Sequence, residues 1–313
     1  MLYSPVPMHI PDNFLSIIVS LICWAITALT LSVAISRTNK SLGERQVPLM
    51  GVMAAFIFAA QMINFPVLGG TSGHLLGGAL AAIALGPWAG MLVMTAVIAV
   101  QGLLFQDGGL VVMGANILNM GLLTAAVGYG LYRSVNGRGR VVRLAVAGVA
   151  AWLSVMTGAL FTALQIWLSG NAEIQVIVPA MLVIHTFIGI GEALITVAAL
   201  SFIMSSRPDL LDEKSESAQG GRGWILVGVL ITLAVVMLSP LASADPDGLE
   251  RVAIDLGFIG TAQSAPYEII PDYTIPFLGE TSLSTIVAGV IGVIVVLGVA
   301  FLTGRSMQRK HSS

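Results

Sequence analysis

Nine long apolar stretches recur along the chain, and this repetition limits the possible folds more than any other feature. A helix needs roughly 20 mostly apolar residues to cross a lipid bilayer. The third stretch is short, and Gly86-Pro87 separates it from the fourth, which suits the start of a new helix. We therefore predict an all-α, polytopic membrane bundle of about nine transmembrane helices. The predicted spans are Phe14–Ser36, Val47–Phe65, Leu75–Leu85, Trp88–Phe105, Leu110–Tyr132, Val141–Ser169, Val176–Ser205, Trp224–Ala244 and Ser282–Thr303.

The composition agrees with lipid as the main solvent. Hydrophobic residues make up 56% of the chain and charged residues only 10%, whereas soluble domains carry about 25% charged residues. The net charge of -2 argues against a nucleic-acid partner, which requires a basic surface. Cys23 is the only cysteine, so the chain cannot form an internal disulfide.

The cations are sorted to one side of the predicted membrane. Of the 14 Lys and Arg residues, all except Arg251 lie in or beside segments that alternating spans place on the same face. The positive-inside rule assigns that face to the cytoplasm. We predict an outside N-terminus and an inside C-terminus in the inner (cytoplasmic) cell membrane. The basic segments are 37–46, 133–140, 206–223 and 304–313.

The polar segment 206–223 divides the chain into two parts and is predicted to be a cytoplasmic linker. Seven predicted helices precede it. Residues 224–304 form a helical hairpin, whose outside segment 245–281 carries seven acidic residues against Arg251 alone. We call residues 245–281 the acidic loop; it is predicted to contact the first part or to concentrate cations there. Residues 305–313 form a basic tail.

The sequence contains none of the motifs HExxH, P-loop, GxSxG or CxxC. We therefore expect a chain that is not an enzyme and binds no nucleotide. Two alternatives remain. A stand-alone secondary transporter would need charged residues along its path, for which only Asp107 and Glu192 qualify. An intramembrane enzyme would need paired catalytic groups, for which only His185 and Glu192 qualify.

Two histidines, His9 and His74, lie in non-helical stretches on the predicted outer side. If Met8 is the true N-terminus, its amine, the deprotonated amide of His9 and Nδ1 of His9 can chelate one metal through low-strain rings. His74 would supply a fourth nitrogen. Four nitrogens in a plane suit Ni²⁺ or Cu²⁺, and Co²⁺ is also compatible. The alternative is that His9 is a helix-entry residue and His74 a hydrogen-bonded loop residue.

Four stretches together closely resemble the CbiM/NikM family, the substrate-binding (S) components of energy-coupling-factor transporters for cobalt and nickel. The resemblance covers residues 8–205, and the stretches occur in the family's order. The sequence DPDGLE at 245–250 resembles the opening of the small NikN/CbiN subunit, so the whole chain is similar to a fused NikMN-type protein. The four stretches are MHIPDNFLS at 8–16, NFPVLGGTSGHLLGG at 64–78, LFQDGGL at 104–110 with GANILNMG at 114–121, and HTFIGIGEALIT at 185–196.

The resemblance implies that Met8, His9 and His74 bind the metal and that Ni²⁺ or Co²⁺ is the transported substrate. It also implies three kinds of association: the membrane, a coupling (T) subunit of CbiQ/NikQ type, and two ATP-binding subunits of CbiO/NikO type. Nickel is favoured over cobalt because a planar all-nitrogen site suits nickel. The Ile-Pro-Asp continuation and the fused hairpin also look more nickel-like within the family.

Other polar residues near these stretches are candidates to orient the ligating histidines, although they could equally cap broken helices. His185 and Glu192 lie seven residues apart on one helix face. We expect them to form an intramembrane pair, either a hydrogen-bonded structural pair or a functional one. The candidates around the histidines are Asn64, Ser72, Gln106, Asp107, Asn116 and Asn119.

Residues 1–7 precede the Met-His pair at which the family's motif begins. With this extension attached, Met8 has an amide nitrogen in place of an amine, and the first ligand is lost. We expect residues 1–7 to reflect a misassigned start codon or to be removed from the mature protein, leaving residues 8–205 as the metal-binding domain.

Overall fold

The computed structural model describes residues 9–43, 46–208 and 223–309. These ranges fold into a helical bundle with one two-stranded sheet, β1 (Phe65–Val67) and β2 (Thr71–Gly73). The α-helices are α1 (Ile17–Ser41), α2 (Gln46–Gln61), α3 (Gly78–Leu85), α4 (Pro87–Leu104), α5 (Met113–Asn116), α6 (Thr124–Tyr132), α7 (Arg140–Leu168), α8 (Ile174–Ser206), α9 (Gly223–Leu238), α10 (Gly248–Asp255) and α11 (Ser282–Arg309).

Six helices of the described ranges are long and apolar enough to cross a membrane: α1, α4, α7, α8, α9 and α11. The shorter helix α2 is also apolar. The predicted class, a polytopic helical membrane protein, is confirmed, while the count of nine spans stays a prediction.

Local sequence explains where several helices begin and end. The side chain of Ser16 caps α1 by accepting a hydrogen bond from the Val19 amide. Pro87 occupies the first turn of α4, where a missing N–H costs nothing. The predicted span 224–244 ends early, because α9 stops at Leu238 and Pro240 follows within a 3₁₀ turn, Ser239–Leu241.

The prediction that Phe65 ends the second span was wrong, since α2 ends at Gln61 and Phe65 begins strand β1. Pro66 disfavours the helical conformation at the residue before it. Strands β1 and β2 pair antiparallel, with Phe65 opposite Gly73. This small hairpin, which an all-α prediction does not include, leads directly into His74.

The fifth predicted span is not one regular helix. A π-helical segment, Ile117–Leu123, separates the single turn of α5 from α6. Segments of π-helix are rare and occur frequently at functional sites. Asn119 and Met120, both in this segment, line the cavity described below.

The two helices after the linker pack directly on the first part of the bundle. Helix α9 contacts α2, and α11 contacts α2 and α4. Gly51 of α2 allows close approach, because a Cβ there would lie 3.3 Å from the carbonyl oxygen of Leu297. Small residues at such contacts let helix backbones approach in lipid. The acidic loop between α9 and α11 is thereby held over the end of the bundle that carries His9 and His74.

Candidate metal centre

His9 and His74 lie side by side in the interior. Their ring centroids are 5.6 Å apart with an interplanar angle of 62°, and the residues are 2% and 8% exposed. Both line a cavity of about 70 Å³, together with His185 and Asp247. Since a water molecule occupies about 30 Å³ in the liquid, this space is enough for a metal ion with one or two waters.

The segment that carries His9 is fixed by Asn116. The Ile10 amide donates to Asn116 Oδ1 at 3.0 Å, and Asn116 Nδ2 donates to the Ile10 carbonyl at 3.0 Å. The Gly109 amide also donates to the Ile10 carbonyl, at 2.9 Å. Asn116 therefore holds the backbone beside His9 in place, as expected of a residue that orients a ligand.

Asp12 anchors the same segment three residues further on. Its carboxylate accepts hydrogen bonds from the backbone amides of Leu110, Val111 and Val112 at 2.9 to 3.2 Å. These amides precede α5, where free N–H groups favour a negative charge. Asp12 and Asn116 together hold the backbone around Ile10 against residues 110–116, which precede the π-helical segment.

The ring of His9 is held in one tautomer. Nδ1 lies 3.0 Å from the Asp107 carbonyl oxygen, so it carries the proton and donates it. Nε2 is buried and has no hydrogen-bond partner among the described residues. Burial lowers the pKa of His9 below its usual value, and the nearby His74 adds to that effect against the opposing field of Asp107. The two lowering effects favour the neutral imidazole, in which Nε2 is unprotonated and Nδ1 is occupied by its hydrogen bond to Asp107.

His74 lies in a loop whose backbone is fixed by a buried carboxylate. Glu192, fully buried in α8, accepts hydrogen bonds from the amides of Leu76 at 2.6 Å and Gly77 at 2.9 Å. Gly77 has φ +85°, and a Cβ there would lie 2.6 Å from Cγ2 of Ile57. The loop therefore needs both the carboxylate acceptor and the glycine to hold its shape.

The tautomer of His74 is fixed as well, because Nδ1 lies 3.0 Å from the Leu75 carbonyl oxygen. Among the described residues, no three His, Cys, Asp or Glu side chains converge closely enough to hold a metal ion. Two imidazoles alone leave a four-coordinate ion incomplete. Backbone nitrogens would have to complete it, and Met8, expected to supply one of them, lies outside the described residues.

Asp107 lies next to His9 and is 3% exposed. Its Oδ2 accepts a hydrogen bond from the Tyr273 hydroxyl at 2.7 Å, while Oδ1 lies 3.7 Å from His9 Nδ1. The neighbouring Gln106 points elsewhere: its Oε1 accepts from the Ile269 amide at 3.3 Å. Both residues of this adjacent pair therefore contact the acidic loop, but only Asp107 also contacts His9.

Asn119 faces the cavity and exchanges hydrogen bonds with Gln165, each 2.8 Å long. Asn64 and Ser72 bond the residues around the DPDGLE sequence instead of the histidines. The Asn64 carbonyl accepts from the Ser243 amide at 2.8 Å, and Ser72 Oγ donates to the Asp245 carbonyl at 2.8 Å. Of these six candidates, Asn116 and Asn119 line the cavity. Asp107 contacts His9 without lining the cavity, and Asn64, Ser72 and Gln106 do neither.

His185 and Glu192 share helix α8, but each bonds a different partner. His185 Nδ1 lies 2.7 Å from the Met181 carbonyl oxygen, while both Glu192 oxygens bond the loop after His74. The hydrogen-bonded pair expected from sequence is therefore not formed. His185 lines the cavity, whereas Glu192 holds the loop that follows His74.

The acidic loop covers the cavity. The Ser72 amide donates to the Pro246 carbonyl at 2.9 Å, and the Gln263 amide donates to the Asp12 carbonyl at 3.0 Å. Asp247, Gly248 and Leu249 line the cavity. The loop therefore contacts both the hairpin that leads to His74 and the segment that carries His9.

Asp247 begins helix α10 within this loop. Its side chain accepts from the Glu250 amide at 2.8 Å, which is the capping arrangement that Asp favours. Burial raises the pKa of Asp247 to about 7. Burial, followed by the field of Asp247, raises the pKa of Glu250 to about 7. Both carboxyl groups therefore hold a proton more readily than exposed carboxyl groups do.

Gly248 packs closely against α8, and Gly248→Val is expected to displace the loop. A Cβ at this position would lie 2.8 Å from Ile188 Cδ1 and 2.9 Å from His185 Cε1. Overpacking of this kind costs about 1–3 kcal/mol. We expect limited proteolysis within 262–281 to become faster in the variant.

Gly260 provides the matched control for that prediction. It belongs to the same loop, and a Cβ there would meet nothing within 4 Å. Gly260→Val should therefore leave the cleavage rate unchanged. Equal cleavage of wild type and Gly248→Val would show that Gly248 does not hold the loop in place.

Several residues that build the site were not identified from sequence. Asp12 lies within the MHIPDNFLS stretch, but its role depends on amides about a hundred positions away. Asp247 and Glu250 have the spacing of a helix-capping box, which could have predicted the start of α10. No local pattern pointed to Tyr273, because its partner Asp107 is 166 residues away.

Family models match both parts of the chain. Residues 9–210 match the CbiM model, described as a cobalt uptake substrate-specific transmembrane region. Residues 222–309 match the PDGLE domain. The first match ends and the second begins within 206–223, the segment that was predicted from sequence to be a linker.

Similar proteins extend over nearly the whole chain. The NikMN protein of Archaeoglobus fulgidus is 34% identical over 95% of this chain and 98% of its own length. The fused nickel transport protein NikMN of Rhodobacter capsulatus is 28% identical over 97% and 99%. A crystal structure of a transition metal transporter aligns with a TM-score of 0.58 and 31% identity, covering 68% of this chain and all of that one.

Proposed function

Because the chain belongs to the CbiM family and ends in a PDGLE domain, we propose that it is the substrate-binding component of an energy-coupling-factor importer for Ni²⁺. The observation that carries the proposal is the pair His9 and His74, buried together at a small cavity. Buried imidazoles in neutral form are ligands that Ni²⁺ and Co²⁺ accept. The metal is the transported substrate and not a resident cofactor.

In the proposed site, the amine of Met8, the amide nitrogen and Nδ1 of His9, and a nitrogen of His74 surround the ion. Asn116 and Asp12 hold the segment that carries His9, and Glu192 holds the loop that carries His74. Each proposed histidine ligand thus has its own supporting residues. This arrangement supports the proposal, because metal sites require partners that fix the orientation of each ligand.

Nickel is favoured over cobalt by one chemical argument and one comparison. The proposed donor set is all nitrogen, which suits planar coordination of Ni²⁺. The similarity to a fused nickel transport protein extends over nearly the whole chain. Cobalt is the second candidate, because the family model that matches residues 9–210 is described as a cobalt uptake region. Competition between Ni²⁺ and Co²⁺ for the purified chain would decide between them.

The proposed partners are a coupling subunit of CbiQ/NikQ type and two ATP-binding subunits of CbiO/NikO type, with the basic loops of this chain facing them in the cytoplasm. The N-terminus and the acidic loop then face outside, where metal arrives. Uptake of Ni²⁺ by cells should require those ATP-binding subunits. Uptake that persists without them would favour a stand-alone secondary transporter.

The mature chain is expected to begin at Met8, since a free amine there completes the chelate. Intact mass measurement and N-terminal sequencing of protein from native cells should find residues 1–7 absent. A chain that starts at Met8 should bind one Ni²⁺. A chain that retains residues 1–7 should bind it at least about 100-fold more weakly, because a ligand is lost. A native protein that keeps Met1 and still binds Ni²⁺ tightly would exclude this chelate.

A further inference from the structure

A chain of hydrogen bonds leads from the ring of His9 to the acidic loop. His9 Nδ1 donates to the Asp107 carbonyl at 3.0 Å, and Asp107 Oδ2 accepts from the Tyr273 hydroxyl at 2.7 Å. Gln101 Nε2 donates to the same hydroxyl at 3.2 Å. The position of a candidate ligand is therefore tied to one residue of the acidic loop.

Tyr273 is itself held firmly. Its ring stacks on Phe105 at 4.6 Å with an interplanar angle of 18°. Asp272 and Tyr273 have φ of +48° and +55°, a conformation that non-glycine residues adopt only where the surrounding contacts enforce it. The strained turn places the hydroxyl against Asp107.

This arrangement opposes the proposed chelate. Chelation by His9 uses Nδ1 together with the amide nitrogen of the same residue. In the structure Nδ1 donates its proton to Asp107, and a protonated nitrogen cannot bind a metal. The observed ring orientation is therefore the one that must be abandoned when metal is captured. Asp107 Oδ1, buried and without a hydrogen-bond partner among the described residues, lies 3.7 Å from that nitrogen.

We propose that Tyr273 acts through Asp107 as a positioning residue that holds His9 in its metal-free orientation, so that metal capture and docking of the acidic loop at this point oppose each other. The proposal rests on the proposed function, because it needs His9 as a ligand. The two effects are reciprocal. If metal binding weakens the contact between Tyr273 and Asp107 by a given factor, loss of that contact strengthens metal binding by the same factor.

The test is Tyr273→Phe in the otherwise complete chain that starts at Met8, with Ni²⁺ as the probe. This change removes one hydroxyl and keeps the ring that stacks on Phe105. Two loop amides report docking by hydrogen exchange, since Ile270 and Asp272 donate to the carbonyls of Leu104 and Phe105 at 3.1 Å. In wild type, we expect Ni²⁺ to speed exchange at both amides. In Tyr273→Phe, exchange should already be fast without metal, and the Ni²⁺ dissociation constant should fall about tenfold.

Tyr267→Phe is the matched control. The Tyr267 hydroxyl also connects the acidic loop to the bundle, because it donates to the Leu103 carbonyl at 2.9 Å. Tyr267 makes no hydrogen bond to Asp107. It should leave the Ni²⁺ affinity unchanged. Unchanged or weaker Ni²⁺ binding by Tyr273→Phe, with wild type binding normally, would overturn this inference alone. Wild type that binds no Ni²⁺ would overturn the proposed function and, with it, this inference.

Discussion

His74→Ala is expected to abolish tight Ni²⁺ binding. His74 is one of the two proposed histidine ligands, whose rings lie 5.6 Å apart, and no cluster among the described residues offers three side-chain ligands that could replace it. Loss of a residue that merely supports a ligand costs 10–100-fold in metal affinity, so loss of a ligand should weaken binding by at least about 100-fold. Titration calorimetry, or competition with a chromophoric chelator, measures this directly on purified protein.

His185→Ala is the matched control for that experiment. It removes an imidazole from the same cavity, but His185 is not among the proposed ligands and its Nδ1 bonds its own helix at Met181. The affinity should change by less than about tenfold, as expected of a residue outside the ligand set. If His185→Ala abolished binding and His74→Ala did not, the assignment of ligands would be wrong.

Glu192→Ala is expected to produce the largest loss of stability. Its carboxylate accepts from the buried amides of Leu76 and Gly77, and alanine would leave both without an acceptor. A buried polar group left unpaired costs about 1–3 kcal/mol, so the two together should cost about 2–6 kcal/mol. A lower unfolding temperature in detergent would record the loss. The loop of His74 should also become less ordered, so that Ni²⁺ binding weakens as well.

Glu192→Gln and Glu280→Ala separate the causes of that effect. Glutamine keeps one carbonyl oxygen and can still accept from one of the two amides, so its loss of stability should be smaller. Glu280 is an exposed carboxylate of the acidic loop, and its removal should leave the unfolding temperature within the small range typical of surface changes. If Glu192→Ala unfolded at the wild-type temperature, the loop would not depend on this carboxylate.

The membrane class and the broad division of the chain could be predicted from sequence, because both depend on composition over long segments. Interruptions of the helices were harder to predict. The π-helical segment at Ile117–Leu123 has the same apolar composition as a regular helix. Helix α9 ends before Pro240, earlier than the hydrophobicity of the segment suggested. Hydrophobicity measures the preference for lipid and not the ability to continue a helix.

The candidate site could be predicted in part. His9 and His74 were identified from the chemistry of their side chains and from a resemblance, and the structure brings their rings within 5.6 Å. Asn64 and Ser72 lie close to His74 in sequence, yet they bond residues that precede α10. Closeness along the chain did not determine their contacts, because Asn64 bonds through its backbone carbonyl before β1 begins, and the acidic loop pairs with Ser72 at Asp247.

The sequence alone determined that this protein is a polytopic membrane protein, and it predicted that the cations lie on one side and which imidazoles are candidates for the metal. Each of these follows from residue types and their order, without reference to distant contacts. Only the tertiary structure decided what holds those imidazoles. Glu192 accepts from amides 116 and 115 residues away, and Tyr273 donates to a carboxylate 166 residues away. Such contacts depend on how helices and loops pack in three dimensions, and no local pattern encodes them.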